Sequence, residues 1–325
     1  MKKRVFVNPI EGDKAVERLV DKKSSIQIKS KFYMIKKIFR IIGISIGILV
    51  AILMIAYAFI YFDIRYRVNR EYDINAEAID VNYDSASLAL GKRLVNTRAC
   101  TECHGKDLGG AVLVDDGVIG TFASKNITKG KGGLPADFTI SDWVQAMKHG
   151  VKRDGRPLYL MPSHELSQLT EKDMAAIIAY CSQVPNVDRE PREFKIGPLG
   201  YVLSGLGLIP LLPAEFTDHQ IHFAKDIKRE ISAAYGKYLS TICINCHGPN
   251  LKGGDSPVPG GKYVADITST GNPGKWSHEE FITALQTGVT PEGKVLNPEE
   301  MPWSITKSFT RDELTALHLY LKSIK

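Results

Sequence analysis

Positive charge is missing from most of this chain. The formal net charge is +6, yet residues 1–40 hold 12 Lys and Arg against 4 Asp and Glu, while the other 285 residues hold 30 against 32. A body with no cationic surplus has no field for gripping phosphate, which excludes nucleic acid as a partner. Glycine-rich stretches such as residues 129–133 lack the strand-to-helix context of a nucleotide cradle and read as loops. Charge of either sign is absent from residues 41–62. Cysteine is scarce, 5 in 325 residues, and four of the five fall in two short runs. With 44% hydrophobic and 24% charged residues the chain is globular, not disordered, and it is long enough for two ordinary domains plus extras.

The two runs are Cys100-Thr101-Glu102-Cys103-His104 and Cys243-Ile244-Asn245-Cys246-His247. A C-x-x-C-H run reads as an attachment site for c-type haem. Two thiols three residues apart on one helical turn can each form a thioether to the porphyrin, and the histidine that follows reaches the iron from the same side. Cys100, Cys103, Cys243 and Cys246 are therefore the expected anchors of two covalent haems, with His104 and His247 as iron ligands. Zinc or dithiol redox chemistry is the competing reading of paired C-x-x-C. It gives no reason for a histidine directly after each pair, and disulfides would leave both histidines without a role.

The surroundings of the motifs repeat as well. Asn126-Ile127-Thr128 matches Asp266-Ile267-Thr268, Gly150 matches Gly288, and Met161-Pro162 matches Met301-Pro302. Thr170 matches Thr310 and Tyr180 matches Tyr320, while Gly91 and Gly236 stand before the two motifs. Each half ends in an amphipathic stretch opened by a helix-start signal, Thr170-Glu171-Lys172-Asp173 and Thr310-Arg311-Asp312-Glu313. The pattern predicts one domain used twice.

Ahead of the repeats, residues 41–62 are long enough at 1.5 Å per residue to cross a hydrocarbon core of about 30 Å. Lys36, Lys37 and Arg40 precede them, so the positive-inside rule puts the amino terminus in the cytoplasm. Arg65, Arg67 and Arg70 on the far side oppose that orientation, but covalent haem attachment in bacteria belongs to the exported side. Ala56-Tyr57-Ala58 has the shape of a processing site, yet the apolar run continues past it and 40 residues precede it, so a retained anchor is expected. The resulting division is a basic tail (1–40), a membrane span (41–62), a polar stalk (63–84), a first domain (85–184), an apolar Gly/Pro-rich linker (185–229) and a second domain (230–325). The linker's apolar core, residues 196–213, is too rich in Gly and Pro for a spanning helix. A crossing there would also put one motif in the cytoplasm. It is expected to pack on the domain interface, the membrane surface or a partner.

From residue 85 onward these motifs resemble the membrane-anchored di-haem cytochromes c that serve as electron-accepting subunits of periplasmic alcohol, aldehyde or related dehydrogenases. The resemblance implies an all-α fold of two tandem cytochrome c domains, with first and last helices crossing near Gly91 and Tyr180, and near Gly236 and Tyr320. The sixth iron ligand follows from the repeat. Only Met161 has a methionine at the corresponding place, Met301; Met147 and Met174 align with Leu285 and Leu314, as core residues do. A soft, neutral thioether favours ferrous iron and raises the potential. His149, His278 and His318 read as structural or surface residues, His219 as an improbable haem ligand, and Cys181, opposite Leu321, as a small buried hydrophobe.

Irons filled by protein ligands suit electron transfer, not chemistry. The expected function is a relay, not an enzyme, between a periplasmic donor such as a dehydrogenase and the respiratory chain, through an oxidase or another cytochrome. A di-haem peroxidase is the alternative, though it would need one open or displaceable iron site. A haem-bearing subunit of a terminal oxidase is a third reading.

Overall fold

The computed structural model describes residues 9–256 and 261–325; the first eight residues of the expected basic tail lie outside them. In chain order the helices are α1 (Pro9–Val68), α2 (Ser85–Thr97), α3 (Cys100–His104), α4 (Ile140–His149), α5 (Ser163–Leu166), α6 (Glu171–Gln183), α7 (Pro198–Gly205), α8 (Ala233–Leu239), α9 (Ile244–His247), α10 (Asn272–Lys275), α11 (His278–Thr287), α12 (Trp303–Thr306) and α13 (Arg311–Ser323). Three short strands join them: β1 (Val112–Asp116), β2 (Gly120–Ala123) and β3 (Lys195–Ile196). One compact unit ends at Phe59 and the other begins at Ile60.

Helix α1 extends beyond both ends of the expected span, and its stretch Lys31–Val68 is long and apolar enough to cross a membrane. No part of its most apolar window is buried, and Ile55 and Phe59 stand 70% and 75% exposed. A helix that is apolar all round with no protein over it is what a bilayer, not a protein core, would cover. Its last turns differ. Ile64 and Val68, four residues apart on one face, are buried against Leu211 and Leu212. Arg67 Nε donates to Glu215 Oε1 at 2.8 Å beside them. The stalk expected over 63–84 is therefore corrected: its first residues finish the helix, and Ile79, with Ala76 and Val81, packs on the main core.

Each half is built around two helices that cross. In the first they are α2 and α6, in the second α8 and α13. Side-chain caps start all four: Asp84 accepts from the Ser87 amide, Thr170 from Asp173, Ser232 from Tyr235 and Thr310 from Glu313. The crossings depend on glycine. A Cβ on Gly91 would lie 1.9 Å from Ala176 O, and one on Gly236 would lie 2.0 Å from Ala316 O. Tyr180 and Tyr320 stand next in line at 2.7 and 2.8 Å. Met174 and Leu314 fill the equivalent, fully buried places.

The expected all-α fold needs amending as well. A hairpin of β1 and β2 lies between the first motif and Asn126, and β3 adds to it through Gly120↔Ile196 and Thr121↔Lys195. Asp116 closes its turn by accepting the amides of Val118 and Ile119. The expected linker thus supplies a strand, then the short helix α7, then Leu211 and Leu212.

The two halves share one core and a buried polar clasp. Asp173 and Glu313, each the third residue of its half's last helix, are 2% and 5% exposed. Glu313 accepts from Arg93 of the other half at 2.6 Å and from Tyr235 at 2.8 Å. Asp173 accepts from Arg229 and, at 2.6 Å, from Tyr238. Burial alone would raise the Glu313 carboxyl, but Arg93, the Thr310 amide and the Tyr235 hydroxyl outweigh it and hold it below the usual range.

Candidate haem centres

In both halves the C-x-x-C-H run forms a short helical turn, α3 in one and the end of a 3-10 turn running into α9 in the other. All five cysteines are unpaired. Burial pushes the Cys100 and Cys243 thiols up to about 12. Thiols held so far from ionisation are unlike the acidic thiolates of dithiol redox motifs. Among the described residues no three His, Cys, Asp or Glu side chains gather into a metal-holding set, so a zinc site joining the two pairs has no geometry behind it.

Both histidines are oriented in the same way. His104 Nδ1 donates to Lys125 O at 2.9 Å, and His247 Nδ1 donates to Ala265 O at 2.8 Å. A proton fixed on Nδ1 leaves the Nε2 lone pair for a metal, and burial, opposed by that carbonyl contact, lowers the pKa of each ring. The two carbonyls come from the residues just before Asn126 and Asp266. Asn126 Oδ1 accepts the Thr128 amide at 2.9 Å and its hydroxyl at 2.8 Å, and Asp266 Oδ1 holds Thr268 at 2.8 and 2.7 Å. The repeated Asn/Asp-Ile-Thr is thus a turn that aims a carbonyl at the histidine. Its repetition marked it in the sequence; its task there was not readable.

A second shared device follows each histidine. The amides of Gly110 and Gly253 donate to His104 O and His247 O, both at 2.8 Å. Leu108 and Leu251, with φ of 58° and 61°, turn the chain and bury their side chains. A left-handed leucine costs roughly 1–2 kcal/mol, and burial of its side chain offsets that.

Met161 and Met301 sit in matching loops. The amides of Ser163 and Trp303 donate to Met161 O and Met301 O, both at 2.7 Å. Upstream, α4 and α11 start with capping boxes, Thr139 with Asp142 and Ser277 with Glu280, and end on left-handed Gly150 and Gly288. A Cβ on Gly150 would meet Ser163 Oγ at 2.4 Å, and one on Gly288 the Trp303 ring at 2.5 Å. These glycines let each helix end press against the residue two after the methionine. Cys100, Met161, Cys243 and Met301 are all half-buried against the same core, whereas Met147 and Met174 are inside it, 3% and 0% exposed.

The residues present fit haem. Each half offers two neutral thiols, an imidazole with Nε2 free and a thioether on an apolar surface. Beside the Met301 loop the buried Trp303 Nε1 has no acceptor, which suits a group carrying carboxylates. His149 and His219 pair through Nδ1 at 3.2 Å, and His278 and His318 at 2.8 Å; both pairs lie off the C-x-x-C-H turns. Burial, with Lys148 close by, takes the His149 pKa down to about 4. Cys181 is buried, 4% exposed.

The halves also touch at their motifs. Arg98, two residues before Cys100, donates to the hydroxyl of Thr241, two before Cys243, at 2.7 Å. Asn245, inside the second motif, donates to Glu165, four residues after Met161. Burial, opposed by Arg98, raises the Glu165 carboxyl to about 8.

Residues 88–185 match the cytochrome c family model. The chain is 27% identical over 275 residues to the cytochrome c subunit of the quinone alcohol dehydrogenase of Gluconacetobacter polyoxogenes, covering 74% of this chain and 56% of that protein. It is 24% identical over 268 residues to the same subunit of Gluconobacter oxydans (74% and 55%). With the fructose dehydrogenase cytochrome subunit of Gluconobacter japonicus it shares 25% over 260 residues (73% and 52%). The chain spans about half the length of these curated relatives.

Proposed function

We propose that this chain is a membrane-anchored di-haem cytochrome c that passes electrons from a dehydrogenase to the respiratory chain. The observation that carries the reading is the duplicated histidine geometry, the same Nδ1-to-carbonyl bond behind both C-x-x-C-H turns. In this reading two tandem cytochrome c domains, 85–184 and 230–325, each carry one haem. Cys100 and Cys103 hold the first and Cys243 and Cys246 the second. His104 and Met161 ligate one iron, His247 and Met301 the other. Helix α1 holds the chain in the inner membrane, with the amino terminus in the cytoplasm and both haem domains in the periplasm. The relatives support the partner class: they are cytochrome subunits of dehydrogenases.

Bound haem supplies a one-electron couple at iron. The chain's part is to fix its surroundings. The Lys125 and Ala265 carbonyls hold the two imidazoles in one tautomer, and the methionines raise the potential. The Arg98–Thr241 contact keeps the two attachment segments side by side, which would hold groups bound to them close enough for electron exchange within one chain.

The test is ligand access in the haem-bearing protein. The oxidised form should show the near-infrared band of sulfur-ligated iron, the reduced form should bind carbon monoxide weakly, and peroxide turnover should be negligible. Met161→Ala or Met301→Ala should each open one haem to carbon monoxide and lower its potential. A wild-type protein with a five-coordinate haem and rapid peroxide reduction would be a peroxidase instead.

A further inference from the structure

Helix α7 has its faces reversed. Its small residues, Gly200 and Ser204, are buried, while Leu199 is 40% exposed and Leu206 64%, with Val202 and Leu203 half-buried between them. Leu199, Val202, Leu203 and Leu206 follow the i, i+3, i+4, i+7 spacing of a single helix face. Leu208, just past the helix, is 48% exposed, and Val118, whose carbonyl accepts from Leu199 N at 3.0 Å, is 56% exposed. A helix docked on a soluble body puts its large apolar side inward. This one is held by its small side: a Cβ on Gly200 would lie 2.2 Å from Ile119 O, and the Cβ site of Gly205 lies 2.5 Å from Ile60 Cγ2.

The place of α7 says what covers the outer face. It packs on Ile60 and Tyr61, the last turn of the uncharged run, with the Tyr201 and Tyr61 rings 4.9 Å apart. Phe62 and Tyr66 stand exposed close by, 67% and 75%. Tyrosines and phenylalanine at the end of an apolar span mark the level of the lipid headgroups.

We infer that α7 is a second membrane contact, a short helix lying in the outer interface with Leu199, Leu206 and Leu208 in the acyl region of the leaflet that α1 traverses. This rests on the anchoring reading above. Its occupant is lipid: α7 is held on Ile60 and Tyr61, where the uncharged run of the sequence ends, and two exposed leucines spaced one heptad apart need only acyl chains.

The full haem-bearing chain in phosphatidylcholine vesicles, with a diazirine on the acyl chain and no partner protein, tests this. After photolysis, peptide mass mapping should find lipid adducts on both residues 41–62 and residues 198–208, and none around Val295, which is 73% exposed in the second half. Leu199→Asp with Leu206→Asp should lose the second set and keep the first, with the haem spectrum unchanged. Adducts on 41–62 alone would overturn the inference while leaving the anchor intact. Protection of 198–208 in native membranes without adducts in vesicles would overturn it in favour of a partner protein. Adducts on neither stretch would remove the anchor and the inference together.

Discussion

The first and second halves of the repeat differ less in what they build than in what surrounds it. Between Gly150 and Met161, and between Gly288 and Met301, the chain makes the same bridged loop: Leu158 N and Leu296 N each return to the glycine carbonyl at 2.7 Å. The approach to the methionine then diverges. In the first half Leu160, at φ 56°, is braced by the linker, its amide on Leu211 O at 2.9 Å. In the second, Met301 N bonds back within its own loop to Asn297 O at 2.9 Å. The first half alone is joined by β3, α7 and Leu211–Leu212, whereas the start of its hairpin, Ser124 N on Ala111 O, has a counterpart in the antiparallel pair of Gly254 and Val264. What is common to the halves surrounds the C-x-x-C-H turns and the Met-Pro loops; of what is extra, Leu211 and Leu212 pack on Ile64 and Val68.

Substitutions at matched positions sharpen this comparison, and the largest effect is expected in the core. Met174→Ala and Leu314→Ala, both fully buried, should each cost about 2–5 kcal/mol of stability in denaturant titrations. Neither should open a haem to carbon monoxide, and carbon monoxide binding in Met174→Ala would move the first ligand away from Met161. At the crossings, Gly91→Ala and Gly236→Ala should destabilise by about 1–3 kcal/mol or more, because a Cβ would fall onto a carbonyl oxygen. The sign is informative, since in an open helix the same change stabilises by roughly 1 kcal/mol. A stabilised variant would mean that the helices do not cross there.

The clasp comes next. Glu313→Gln should cost about 1–3 kcal/mol, less than a fully buried pair because Arg93 remains 30% exposed. If the clasp joins the halves, Glu313→Gln and Asp173→Asn should split one thermal unfolding transition into two, and a single shifted transition would show that the shared core alone joins them. The smallest effect is a pH dependence from a carboxyl with no acidic counterpart in the second half. Glu165 corresponds to Ile305, and its folded pKa, about 8, lies above the value of 4.5 for a free glutamate. A raised folded pKa means that protons favour the folded state, so this contribution is complete below pH 4.5 and is lost as pH rises through 8. Glu165→Gln should flatten the fall in stability over that window; an unchanged slope would assign it to other groups.

Much of the local architecture around the C-x-x-C-H turns was legible because its parts are local. C-x-x-C-H, the capping threonines, the crossing glycines and the Met-Pro pairs each act through neighbours a few residues away or through a repeat partner, and period and motif report such things. The carbonyls of Lys125 and Ala265 were not legible, since a backbone oxygen has no residue signature. Only the repeated Asn/Asp-Ile-Thr beside them hinted at a task. The hairpin was missed because Val112–Asp116 is short and its third strand lies some seventy residues away. Residues 63–84 looked like a polar stalk for a similar reason: Ile64, Val68 and Ile79 are isolated apolar residues whose partners, Leu211 and Leu212 among them, come from distant chain. The linker's leucines carried the opposite signal, apolar enough to attract notice, but which of them turn inward depends on where α1 ends.

The most direct test of the whole account is a haem count. A pyridine haemochrome assay on the purified chain should give two covalent haems per polypeptide, falling to one when either Cys100 and Cys103 or Cys243 and Cys246 are replaced by alanine. One haem or none in the wild type would contradict the duplicated centre from which the electron relay is argued.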